Sequence, residues 1–185
     1  MNKSETDTEL EAQKQELIAA LKACGAIRYG DFTLASGKKS KYYIDIKKAS
    51  TDPKTLKLIA RQAASRIKQM DVNIIAGVEL GGVPLATAVS METELPLLIV
   101  RKAVKDYGTK SRFVGDIKPE DRLVMLEDVT TSGGSVKNAI EIVRETGANV
   151  KYVISVVDRE EGAIENLKEA GTELVPLVSA SDLLK

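Results

Sequence analysis

Five apolar runs constrain this 185-residue chain more than any other feature: "NIIAGV" (73–78), "LPLLIV" (95–100), "RLVMLED" (122–128), "VKYVISVVD" (150–158) and "ELVPLV" (173–178). Each is too continuously apolar to be a strand with one wet face. Between them lie small-residue or charged loops and helical patterns such as "LATAVSM", "VKNAIEIVRETG" and "AIENLKEAG". Buried runs alternating with helices predict a parallel sheet covered on both faces. The fold class is therefore α/β, a mostly parallel open sheet flanked by helices.

The first third reads differently. Leu10, Leu17, Ile18 and Leu21 fall at helical spacing, with Gly25 placed as a left-handed cap and Cys24 as a small buried residue at the helix end. Strands are expected at "RYGDFTLASG" (28–37) and "YYIDIK" (42–47), separated by the turn-like "SGKKSK". Asp52 and Pro53 then open a helix that runs to about Lys68. With no repeat and no linker, residues 1–185 are expected to form one domain, with about the first 50 as an appended helix and strand pair.

Composition excludes several chemistries. The chain has no histidine and a single cysteine, so neither a zinc site of thiolates and imidazoles nor an internal disulfide can be assembled. A catalytic metal would have to be a hard, oxygen-held ion such as Mg2+. The 27 basic side chains balance 27 acidic ones, which argues against a nucleic-acid partner bound by net charge. No apolar stretch approaches the ~20 residues that span a bilayer, and "MNKSETDTEL" lacks the apolar core of a secretory signal. The expectation is a cytoplasmic protein without a membrane partner.

In open parallel sheets, ligands lie beyond the carboxyl ends of the strands. There, "LVMLEDVTTSGGS" (123–135) runs an apolar strand into Glu127 and Asp128 and then into Val129, Thr130, Thr131, Ser132, Gly133, Gly134 and Ser135. Small residues before a helix N-terminus form a cradle for phosphate. Two carboxylates at its rim would repel a phosphate but accept hydrogen bonds from sugar hydroxyls or meet Mg2+, which suits a phosphorylated ribose. The loop is neither a Walker loop nor a dinucleotide fingerprint. "RKAVKDYGTKSRFVGD" (101–116) brings Arg101, Lys102 and Lys105 to a long loop suited to a polyanionic leaving group. "GVELGGVP" (77–84) pairs glycines after a strand, allowing close approach and unusual peptide geometry. "DREEG" offers Arg159 as a planar fork for a carboxylate or imide, and Tyr42 or Tyr43 could wall a flat base.

"LEDVTTSGGS" resembles the phosphoribosyl pyrophosphate (PRPP) signature of type I phosphoribosyltransferases. "FTLASGKKSKYYID", "RKAVKDYGT" and "DREEG" resemble the orotate branch of that family from about Gly25 onward. The resemblance implies transfer of phosphoribose from PRPP to orotate with Mg2+, giving orotidine 5'-monophosphate and pyrophosphate in pyrimidine synthesis. It implies a small N-terminal hood closing on the base with the C-terminal segment. It places Glu127 and Asp128 on the ribose, residues 129–135 on the 5'-phosphate, and Thr131 and Arg159 on orotate. Arg101, Lys102 and Lys105 fall on the pyrophosphate, with Asp128, Lys105 and Arg101 as the catalytic set. It further implies a homodimer with shared sites, and Mg2+ held mainly by PRPP with Asp128 as its protein contact. Two departures stand out: Tyr107 replaces a frequent histidine, and Ala35 and Gly81 stand where lysines are expected. The rival readings are a purine phosphoribosyltransferase and a PRPP-sensing regulator without turnover.

Overall fold

The computed structural model describes residues 3–33, 39–102 and 111–184. Helix α1 (Lys3–Ala23) buries Leu17, Ile18 and Leu21, and Gly25 adopts φ +70° just past its end. Cys24 is half-buried rather than buried, its thiol donating to the Leu21 carbonyl at 3.5 Å. Strands β1 (Ile27–Thr33) and β2 (Lys39–Ile44) pair antiparallel. The second of these ends earlier than the sequence suggests. Asp45, expected within the strand, instead accepts a hydrogen bond from the Lys48 amide and caps a short helix, α2 (Ile46–Ala49). Asp52 caps α3 (Pro53–Ile67) as its position predicts.

The remaining elements are β3 (Ile74–Val78), α4 (Gly82–Thr93), β4 (Leu97–Val100), β5 (Phe113–Val114), β6 (Arg122–Thr130), α5 (Gly134–Arg144), β7 (Asn149–Asp158), α6 (Ala163–Glu169), β8 (Glu173–Ser179) and α7 (Ala180–Leu183). They form a six-stranded sheet in the order β5-β4-β3-β6-β7-β8, parallel except for the edge strand β5. Successive residues of a strand face opposite sides. Accordingly Ile75, Val124, Leu126 and Ile154 pack with α1, α3 and α4, while Ile74, Ala76, Leu123, Met125 and Val153 pack with α5 and α6. Both faces are covered, which is why these strands read as unbroken apolar runs.

The strand order has a consequence for function. From β3 the chain moves outward to β4 and β5, then returns to the other side of β3 with β6. The order reverses between β3 and β6, and the crevice beyond their carboxyl ends is where such sheets bind ligands. The strand pair and α1 both meet α7: the Tyr29 hydroxyl of β1 donates to the Leu183 carbonyl at 3.0 Å, and Lys14 of α1 pairs with Asp182 at 3.3 Å.

Candidate active site

Strand β6 reaches further than its sequence suggests. Glu127 and Asp128 end the expected run, but the strand continues through Val129 and Thr130, with Glu127 opposite Ser155 and Thr130 opposite Asp158 of β7. Pairing along β7 carries the backbone past the point where polar residues begin. The turn into α5 is then very short, with Gly133 at φ +78° and buried against Ala163 and Leu167 of α6. A side chain at 133 would be strained in that conformation. From α6, the Asn166 amide donates to the Ser132 carbonyl at 2.9 Å and pins the turn.

The product is a cavity of about 100 Å3 lined by Glu127, Val129, Thr130, Thr131, Ser132, Gly133, Gly134, Ser135 and Val136. Thr131, Ser132 and Ser135 are exposed to it, and α5 contributes the amides of its first turn, which have no carbonyl within the helix to pair with. Thr130 differs from its neighbours. Its side chain is buried and its hydroxyl donates to Asp158 Oδ1 at 2.8 Å, so it braces the strand end. Larger hollows exist, such as one of about 330 Å3 lined in part by Gln13, Arg61 and Gln62, but they contain neither the acidic pair nor the cradle. Chemistry rather than volume marks the site.

The two carboxyl groups are driven apart in acidity. Burial, then hydrogen bonding to and repulsion from Asp128, push Glu127 up to about 8, and its Oε2 is buried without a partner. Burial also disfavours charge on Asp128, but hydrogen bonds from Glu127 and Lys47 and the Lys47 charge outweigh it and hold that carboxyl below its ordinary value. The two shifts oppose each other, favouring the neutral form of Glu127 and the anion of Asp128. Asp128 is fixed at both oxygens: Lys47 Nζ lies 2.6 Å from Oδ2 and the Val129 amide donates to Oδ1 at 2.9 Å. A Cβ at Gly81 would overlap that same Oδ2, so a lysine cannot stand at position 81 with Asp128 where it is. The paired-glycine loop also carries the Glu79–Leu80 cis peptide bond.

A stability effect follows from Glu127. Its unfolded form titrates near 4.5 and its folded form near 8, so folding retains a proton that the unfolded chain has lost between those values. The contribution is full below 4.5 and fades as pH rises towards 8. Glu127→Gln should therefore gain thermal stability relative to the wild type, without ligand, as pH is raised from about 5 to about 8. A constant difference in melting temperature across that range would show that Glu127 holds no such proton.

Of the other expected residues, Arg101, Lys102 and Arg159 lie at the same end of the sheet. Arg101 follows β4, and its backbone N–H donates to the Arg112 carbonyl at 2.8 Å, closing the stem of the basic loop. Lys102 is close enough for its charge to act on Glu127. Lys105 and Tyr107, like Ala35, lie outside the described residues. Arg159 sits just past β7; its amide donates to the Thr130 carbonyl at 2.9 Å, and its guanidinium lies 5.9 Å from the Tyr42 ring centroid. It pairs with Glu161 at 3.0 Å, yet its Nε is buried without a partner. Of the two tyrosines, Tyr42 thus faces the strand ends, whereas Tyr43 packs against Phe32 and Arg28. Lys47 and Asn166 belong to no motif that sequence reasoning singles out. Among the described residues no group of three or more histidines, cysteines or acids could hold a metal, and no helix is long and apolar enough to cross a membrane.

Known proteins match this arrangement. The family model described as "Phosphoribosyl transferase domain" matches residues 48–172. The chain is 86% identical over 182 residues to an orotate phosphoribosyltransferase of Methanosarcina mazei, covering 98% of this chain and 97% of the relative. It is 56% identical over 171 residues to an orotate phosphoribosyltransferase of Methanocaldococcus jannaschii, covering 92% and 97%. The solved structure of Mycobacterium tuberculosis orotate phosphoribosyltransferase in complex with PRPP matches with a TM-score of 0.78 at 27% identity, covering 94% of this chain and 99% of that one.

Proposed function

The chain belongs to the phosphoribosyltransferase family, and we infer from that membership and from the site how its residues divide the reaction. The enzyme transfers the 5-phosphoribosyl group from PRPP to orotate, giving orotidine 5'-monophosphate and pyrophosphate in pyrimidine biosynthesis. The observation that carries the residue assignment is the acidic pair of Glu127 and Asp128 at the β3/β6 reversal, beside an anion cradle.

The 5'-phosphate of PRPP occupies the cradle formed by Thr131–Ser135 and the first turn of α5. The ribose hydroxyls then meet Glu127 and Asp128. Glu127 Oε2, buried and unpartnered, is an acceptor awaiting a hydroxyl. The pyrophosphate extends towards Arg101 and Lys102, with Lys105 on the same loop. In the reaction, the bond from C1 to the pyrophosphate oxygen breaks, its electrons leaving with pyrophosphate, and the orotate ring nitrogen supplies the pair for the new C–N bond. Positive charge develops on the ribose between these events. Asp128 stabilises it, and the cations of the basic loop stabilise the departing anion. The chain has no imidazole base, and the ring nitrogen needs none when its proton has passed to solvent before the attack.

The donor set suits an ion that arrives on the substrate rather than one held in a protein cage. Mg2+ keeps several waters and binds through one or two carboxylates plus substrate phosphates, and Asp128 is the ionised carboxylate at the strand end. Mg2+ bound with PRPP and met by Asp128 would offset negative charge on the pyrophosphate. The working unit is a homodimer in which the basic loop of one subunit serves its partner's site, and the enzyme acts in the cytoplasm.

Orotate lies beside Tyr42 and Arg159, its carboxylate or imide edge on the guanidinium. Losing a charge-assisted hydrogen bond costs about 1.5–3 kcal/mol. Arg159→Ala should thus raise the KM for orotate roughly 10- to 100-fold while the KM for PRPP changes less than about threefold. Unchanged orotate kinetics would remove Arg159 from the base site.

A further inference from the structure

Lys47 stands on the four-residue helix α2, 81 positions before the carboxylate it touches. Asp128 is 6% exposed and cannot be left unpaired without large cost, whereas the Lys47 side chain is 62% exposed and would keep its charge in water on its own. An ammonium so open to solvent gains little stability from one fixed contact. The contact therefore serves the carboxylate more than the lysine. The surrounding chain holds it in place: Asp45 caps α2 and the Ser50 hydroxyl donates to the Lys47 carbonyl at 2.8 Å. Asp128 Oδ2 fills the space that a Cβ at Gly81 would take, and the Val129 amide holds Oδ1. With Lys47 on Oδ2, the carboxylate has one orientation available.

We propose that Lys47 is a positioning residue for phosphoribosyl transfer, clamping Asp128 in the orientation it needs when charge develops on the ribose of PRPP. This rests on the assignment of PRPP to the acidic pair. It also couples two parts of the site. Helix α2 directly follows β2, which carries Tyr42, so the same short segment presents a wall to the base and a clamp to the ribose carboxylate. Neither side chain of the clamp belongs to the basic loop, and the role of Lys47 is distinct from binding pyrophosphate.

The test compares kcat and both KM values in wild type, Lys47→Met, Lys47→Gln, Lys47→Arg and Asp128→Asn, and in Lys47→Met combined with Asp128→Asn. Either truncation should lower kcat roughly 10- to 100-fold, with the KM for PRPP changed less than about threefold. Lys47→Arg can reach the same carboxylate and should stay within about threefold of wild type. Because Lys47 acts through Asp128, adding Lys47→Met to Asp128→Asn should cost less than about threefold more. Losses that multiply in full would overturn the proposal, as would truncations within about twofold of wild-type kcat. A PRPP KM that rises as far as kcat falls would make Lys47 a ligand of pyrophosphate instead. A wild type inert towards orotate and PRPP would overturn the functional assignment and this proposal together, whereas an active wild type with indifferent Lys47 variants overturns this proposal alone.

Discussion

Asp128→Asn should lower kcat roughly 10²- to 10³-fold while leaving the KM for PRPP within a few-fold of wild type. The amide has the shape of the carboxylate but no charge. In the ground state the ribose is neutral, so a hydroxyl that hydrogen-bonds to Asp128 can do so almost as well to the amide oxygen. As pyrophosphate departs, the ribose acquires positive charge and only the anion responds. An interaction that strengthens in the transition state appears in kcat and not in binding. The size of the effect depends on Asp128 being an anion before substrate arrives, and the hydrogen bonds from Glu127 and Lys47, with the Lys47 charge, keep it one despite its burial. A variant whose PRPP affinity collapses while kcat holds would make Asp128 a binding residue and leave the charge on the ribose without a partner.

The second large effect is a recovery. Lys105→Ala and Asp128→Asn are each expected to give nearly inactive homodimers, yet unfolding and refolding them together in equal amounts should restore about a quarter of wild-type activity. If each site joins one subunit's Asp128 with its partner's Lys105, a mixed dimer holds one site with both lesions and one with neither. Random pairing makes about half of all dimers mixed, and half of their sites are intact. The stem of the basic loop leaves from β4, two strands from β6 and so roughly 10 Å away, and returns to β5 one strand further out. No recovery, with mixed dimers verified by a tag, would assign Lys105 to its own subunit.

The sheet was legible in the sequence because its strands are buried on both faces, and burial on both faces writes itself as unbroken apolar runs. Asp52 before Pro53 marked the start of α3 for an equally local reason, a side chain bonding to an amide three residues on. What escaped were features fixed by distant partners. The four residues of α2 carry too little pattern to separate from "YYIDIK", and β5 exists only through its pairing with β4. Strand β6 runs on to Thr130 because β7 supplies partners for it, although local composition marked a loop from Val129. At the site, local spacing pointed to Glu127, Asp128 and the cradle, and the fold brings Arg101, Lys102, Arg159 and Tyr42 to the same strand ends. Lys47 was invisible, since nothing near it in the chain records that a carboxylate 81 residues away will need a cation. The glycine at 81 is explained by the same contact: the space a side chain would take there is filled by Asp128.

Whether this site joins phosphoribose to orotate is decided by supplying the purified protein with PRPP and Mg2+ and with each of orotate, uracil, adenine, guanine, hypoxanthine and xanthine in turn. Loss of the base and appearance of the nucleotide and pyrophosphate are followed together. Orotate should be converted stoichiometrically to orotidine 5'-monophosphate, dependent on PRPP and Mg2+, with the other bases turned over poorly. Efficient conversion of a purine with none of orotate, or tight PRPP binding with no turnover of any base, would contradict the orotate assignment.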